Sequence, residues 1–205
     1  MWRNCREFLA AALLLLAAVA AAEDEPGAFF LVASPRITDP NFRETVVLII
    51  QHTPMMSRGV IINRPLETPL ARLTPDHESI EQAKQSVYFG GPVALPGLSF
   101  MFRSNQRPKG SVHVIDDLYI DDNPVLLKDV LKRSGAAGGV RVYAGHAGWG
   151  PGQLQSEIEG GSWFATRATP DFVFHENPQS IWGELVKRAS QRSVRASVRS
   201  ADALR

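Results

Sequence analysis

One cysteine, Cys5, occurs in the 205 residues of this chain. A disulfide framework, a thiolate metal centre and thiol chemistry are thereby excluded for everything downstream of it. Long apolar runs are equally scarce. After Val19 no segment reaches the roughly 20 apolar residues that a membrane-spanning helix needs. The glycine patterns that cradle phosphates, G-x-G-x-x-G and the P-loop, are missing. G-x-S-x-G is missing too, since Gly160-Gly-Ser-Trp163 fails at its fifth position. The five histidines, His52, His77, His113, His146 and His175, never fall at H-x-H or H-x-x-x-H spacing, so no zinc site is expected. Asp116, Asp117, Asp121 and Asp122 form an acidic cluster without the glycine and terminal glutamate of a calcium loop, and read as solvated loop charge. No serine is paired with a histidine as nucleophile and base. The sequence therefore offers no catalytic residue, metal or cofactor.

What is present begins at the N-terminus. Met1 to Arg6 is short and cationic, Phe8 to Val19 is unbroken Leu/Ala-rich apolar sequence, and Ala20-Ala21-Ala22 precedes the polar Glu23-Asp24-Glu25. That is the order of a secretory signal peptide, with cleavage expected near Ala22. Cys5 lies before the apolar run, so it is not a lipid-bearing cysteine. Arg3, Arg6 and Glu7 give the removed segment a net +1, equal to the charge of the whole chain, so residues 23–205 are formally neutral. A neutral body lacks the basic footprint that duplex DNA demands, and no specific nucleic-acid partner is expected. The expected product is exported, to the periplasm or beyond, with no transmembrane segment in its mature part. It comprises one domain over residues 28–189 and a disordered Ser/Arg tail over 190–205.

Strands are predicted at Ala28–Ala33, Thr45–His52, Gly59–Asn63, Val87–Phe89, Leu98–Phe102, within Val112–Ile120, at Val140–Tyr143 and at Phe172–Phe174. The second and third suit a hairpin. Two short helices fit Thr68–Lys84. Asn123-Pro124 reads as an N-cap followed by an N1 proline, opening a helix that Gly135 closes and whose apolar face is Leu126, Leu127, Val130 and Leu131. Further helices are predicted at Pro151–Ile158 and Ser180–Ala189, the last with Ile181, Trp182, Leu185 and Val186 inward. Irregular interleaving of strands and helices indicates α+β rather than a doubly wound sheet.

The densest special segment is Gly145 to Glu157, read as a glycine-rich turn from a strand into a helix. With Asn63 and Gly90-Gly91 it supplies three strand ends punctuated by glycine or proline. If those ends converge, Asn63, Gly90, Gly91, Gly145, His146, Gly148, Trp149, Gly150 and Gln153 form one candidate binding rim. The alternative is a structural turn with Trp149 packed into the core.

Taken in order, these motifs resemble the bacterial YqgE/AlgH family. The resemblance rests on Phe30 to Phe42 with Thr45 to Ile49, Gly59-Val-Ile-Ile-Asn-Arg-Pro-Leu66, Tyr88-Phe-Gly-Gly-Pro-Val93, and Tyr143 to Leu154 with Glu157 and Trp163. It implies an α+β fold with a small closed or bifurcated mixed β-sheet wrapped by helices. It implies no agreed catalytic residues, cofactor or substrate, and it carries a transcriptional-regulator label linked to alginate control. Members of that family usually lack an export signal, so an exported copy stands against a direct role on DNA. Three functions follow: an envelope module that binds a small ligand or a protein through the rim; a transcriptional regulator; and a hydrolase or transferase using His146 with Glu157 or Asn63. The absence of a nucleophile, metal set or phosphate loop favours the first.

Overall fold

The computed structural model of the chain describes residues 28–73, 86–134 and 139–190. The predicted signal peptide, the end of the predicted Thr68–Lys84 helical region, Gly135 and the predicted tail beyond Ser190 lie outside the described residues.

The architecture is α+β, built on a mixed sheet that curls into a half barrel. Its strands are β1 (Phe29–Ala33), β2 (Val46–His52), β3 (Ser57–Ile61), β4 (Pro65–Pro69), β5 (Ser86–Phe89), β6 (Val93–Arg103), β7 (Val112–Ile115), β8 (Leu118–Asp121), β9 (Val140–Trp149) and β10 (Trp163–Arg167). The main path runs β10-β1-β2-β3-β9-β6-β8-β7, with β4 paired to β5 and β5 to β9. Among the described residues every pairing is antiparallel except β5 with β9.

The sheet forks at β9. Along Val142–Ala144 that strand holds β5 on one edge and β6 on the other. Past the fork, the edge that carried β5 pairs with β3 instead, along Ala147–Trp149. At the crotch Gly90 donates to the Ala144 carbonyl (2.8 Å) and accepts from the Ile61 amide (2.9 Å).

Why β2 is central is visible in its residues. Val46 and Leu48 enter the core inside the half barrel, while Val47 and Ile49 enter a second core outside it. A β-branched run covered on both faces is what such a strand requires. The inner core also takes Phe30, Val60, Ile62, Met101, Leu118 and Tyr143. A third core lies outside β5, β6 and β9 and takes in helices α1 (Leu70–Leu73) and α2 (Pro124–Ser134), with Leu70, Leu127 and Val130 buried. The N-cap of α2 is as its sequence requires, Asn123 Oδ1 accepting from the Val125 amide at 2.9 Å.

Three sequence expectations are corrected. Phe172–Phe174 is not a strand: Pro170–Val173 forms a helical turn, with Pro170 at a position that needs no amide donor. The edge strand is Trp163–Arg167, which pairs with all of β1. Its alternation of Trp, Ala and Arg on one face hid it. Pro65–Pro69 is a strand where no strand was expected, because Pro65 reads as the stop of the strand before it; its two prolines fit its short, irregular pairing with β5. Finally, Val140–Tyr143 does not end at Tyr143. β9 runs through Gly145 to Trp149, and the turn is confined to Gly150–Gly152 before α3 (Gln153–Glu159). Gly145 sits at φ 70°, so the strand bends there without ending.

The segment from Ala168 through the helix at residues 181–190 covers one end of the half barrel. Phe172 packs edge-on against Phe30 at 6.0 Å, Arg103 reaches Asp171 Oδ1 at 2.7 Å, and Arg141 donates to the His175 carbonyl at 2.6 Å. Ile181 and Leu185 complete the plug. The opposite end of the half barrel has no such cover among the described residues.

Candidate functional site

The predicted rim residues separate by the work their atoms do. Asn63 is buried. Its Oδ1 accepts from the Val46 amide (2.8 Å) and its Nδ2 donates to the Glu44 carbonyl (2.9 Å), fixing the start of β2. Gly90, Gly91 and Gly145 come together at the fork. A Cβ on Gly90 would overlap the Gly145 carbonyl, and one on Gly91 (φ 145°) the His146 carbonyl. Only glycine lets the two chain segments approach so closely.

Trp149 is buried in the outer core. Its indole donates to Glu157 Oε2 at 2.9 Å, and Trp163 donates to the same oxygen at 2.8 Å. The other carboxylate oxygen accepts from Gln153 Nε2 at 2.8 Å, while Gln153 Oε1 accepts from the Gly150 amide at 3.1 Å. Phe42 packs on both indoles. The glycine-rich signature therefore builds a girder of two tryptophans on one half-buried glutamate. Glu157 and Asn63 are engaged in the scaffold, and neither contacts His146.

His146, Gly148 and Gly150 remain open to solvent, His146 partly so. Successive residues of a strand alternate in direction. Ala147 and Trp149 face the outer core, so His146 and Gly148 face the concave side. Gly148 lies opposite Arg58 of β3, and Arg58 Nη2 donates to His146 Nδ1 at 3.5 Å. Burial, then the charge of Arg58, lowers the His146 pKa from the ordinary 6.5, so the ring is neutral at pH 7 and its Nδ1 can accept.

Arg58 shares its face of β3 with Val60 and Ile62, both in the inner core. It therefore stands at the uncovered end of the half barrel. There a cavity of about 400 Å³ is lined by Ile50, Gln51, Arg58 and Val60 on one wall, and by Ser99, Gly110, Val112, Ile120, Asp121 and Asp122 on the other. Asp121 is held in place: Oδ2 accepts from Ser111 Oγ (2.5 Å) and Oδ1 from the Asp122 and Asn123 amides (2.8 Å each). Among the described residues no carboxylate lies within ion-pair distance of Arg58, and no group of three or more His, Asp or Glu is placed to hold a metal.

Sequence reasoning passed over Arg58 and Gln51 and set Asp121 and Asp122 aside as solvated charge. The available signal was register. Arg58, Val60 and Ile62 share one face of an apolar strand, and a charge in the core-facing register marks where that core opens.

The AlgH-like family model matches residues 30–193. A UPF0301 protein of Streptomyces coelicolor is 33% identical over 170 residues, an alignment covering 77% of this chain and 83% of that one. Another, from Myxococcus xanthus, is 34% identical over 155 residues, covering 74% and 84%. Among solved structures, a Corynebacterium diphtheriae protein superposes with TM-score 0.64 at 28% identity, covering 82% of this chain and 90% of that one. The solution structure of AlgH from Pseudomonas aeruginosa gives TM-score 0.67 at 23% identity with the same coverage, a likeness of fold. The four motifs, the forked sheet and these matches agree, and the chain belongs to the AlgH-like (UPF0301) family.

Proposed function

We propose that this chain is a non-enzymatic binding module of the cell envelope, and that its binding place is the uncovered end of the half barrel. The observation that carries the reading is the cavity of about 400 Å³ with Arg58 standing in it and no carboxylate at ion-pair distance among the described residues. A cavity of this size is in the range of small-molecule sites, and such sites favour the mouths of barrels. The apolar floor of Ile50, Val60 and Ile120 with a few polar groups above it is the usual composition of such a site. His146 and Gly148, from the predicted rim, border Arg58. Gly90, Gly91 and Gly145 serve the site indirectly by holding the fork that positions β9.

Export is supported by the charge and hydropathy order of residues 1–22. Fractionation with N-terminal sequencing tests it: protein from the extracytoplasmic fraction should start near Glu23, and an intact Met1 in the cytosol refutes it. The binding place is tested by amide NMR of the mature chain with and without a small-molecule extract of the periplasm. Shifts should centre on Gln51, Arg58, Ser99, Gly110 and Asp122. Shifts confined to other surfaces refute this assignment.

A further inference from the structure

We infer that the open end of the half barrel takes a small zwitterion with an apolar body, namely a short peptide with both termini free. This rests on the reading of that end as a binding place. The two walls of the cavity carry opposite charge. Arg58 stands on the β3 wall, and Asp121 and Asp122 close the β8 wall.

Opposite charges sharing a flexible surface cavity usually fold over onto each other. Here none of the described ion pairs joins Arg58 to either aspartate. On the β8 side, the Asp121 carboxylate is tied by Ser111 and by two backbone amides. Arg58 rests against the neutral His146 ring, a neighbour that leaves its charge unneutralised. The polarity of the cavity is therefore built in, positive on one side and negative on the other.

The chemistry of a matching ligand follows. A guanidinium fork suits a carboxylate, which it can hold through two parallel N–H···O bonds. The exposed Asp122 carboxylate, with the remaining acceptor capacity of Asp121 Oδ2, suits an ammonium group. Between the walls, Ile50, Val60, Val112 and Ile120 offer apolar contact to a side chain. A pure anion would gain at Arg58 and be repelled at Asp121 and Asp122. A pure cation would meet the reverse. A molecule carrying both charges is favoured at both walls. The volume of about 400 Å³ admits a peptide of a few residues and leaves no room for a folded partner.

The test is an NMR-monitored titration of the mature chain with leucyl-leucine, N-acetyl-leucyl-leucine and leucyl-leucine amide. Leucyl-leucine should shift the amides of Arg58, Ser99, Gly110 and Asp122. Acetylation or amidation should each weaken binding by about tenfold or more. Arg58→Gln should weaken leucyl-leucine and leave the amide derivative unchanged. Asp122→Asn should do the same for the acetylated derivative. Both side chains are exposed, and the blocked ligands make the comparison on the unaltered protein should either variant fold poorly. Blocked peptides binding as tightly as the parent at the same amides would overturn the zwitterion and leave the binding place standing. No shift at those amides with any of the three would overturn the peptide ligand, and the titration with the periplasmic extract would then decide the binding place by itself.

Discussion

β9 carries two regions of opposite character on its two faces. On the outer face, Trp149 joins Trp163 on one half-buried glutamate and Phe42 seals the layer. On the concave face, His146 and Gly148 border a cavity and an arginine that has no ion-pair partner among the described residues. The outer face owns nearly all the conspicuous sequence, and its polar atoms are engaged. The concave face is built from ordinary residues, and its polar atoms are available. Sequence conspicuity here follows the geometric demands of the scaffold: close approach of two backbones, and burial of two indole N–H groups that must find an acceptor. Ligand binding needs neither rare dihedral angles nor rare residues. The site is therefore quieter in the sequence than the frame holding it.

The glycines give the sharpest way to break this comparison. Gly91→Ala should be the most damaging change, because the added carbon would overlap the His146 carbonyl at a φ of 145° that alanine avoids. The expected loss is about 3–5 kcal/mol, enough to abolish a marginally stable fold. Gly148→Ala, three residues beyond Gly145 on the paired strand, meets nothing within 4 Å. It should change stability by about 0.5 kcal/mol or less. Urea unfolding of both proteins decides it. Equal effects would mean that the fork does not depend on close approach.

Next in size is the tryptophan girder. Trp149→Ala should cost about 3–5 kcal/mol through lost packing. Glu157→Ala should cost about 1–3 kcal/mol through indole donors left without an acceptor. The two losses should not add in a double-mutant cycle, since the residues share one hydrogen bond. Additive losses would show that Glu157 acts on Trp163 alone. Asn63→Ala, which removes both bonds to the β2 entry, should cost about 1–3 kcal/mol, read in the same unfolding assay.

How much of this was legible in the sequence depends on the physics of each element. β2 and the helix Pro124–Ser134 were readable because burial on both faces and an Asn-Pro cap leave local signatures. β10 and Pro65–Pro69 were not, because their pairing is decided by distant partners, β1 and β5. The same holds for the rim. The convergence of Gly90, Gly91, Gly145 and His146 could be suspected from three punctuated strand ends. Trp149 in the core was the alternative that the sequence offered, and the structure places it there; that Asn63 and Gln153 would also turn to the scaffold depends on partners at Val46, Glu157 and Gly150 that no spacing rule connects. Arg58 went unremarked because the strand was expected to begin at Gly59, which left its shared register with Val60 and Ile62 unread.

The smallest expected effect is a pH dependence confined to the concave face. Burial, and then the positive charge of Arg58, hold the His146 pKa below its ordinary 6.5. In the unfolded chain the ring protonates at its ordinary value. Between the lowered folded pKa and 6.5 the unfolded state therefore binds more protons, and stability rises with pH across that window. The contribution is fully present above the unfolded pKa and lost as pH falls through the folded one. The facing groups are Arg58, from β3, and on the neighbouring strand β6 the uncharged Val93, so no carboxylate on either paired position offsets the repulsion. His146→Gln should remove this dependence and flatten the stability profile below pH 6.5 relative to the parent. Arg58→Gln should move the His146 titration, followed by its ring-proton chemical shifts, back toward the ordinary value. Glu157→Gln, on the other face of β9, should leave it in place. A His146 titration that responds to Glu157 and ignores Arg58 would erase the division between the two faces.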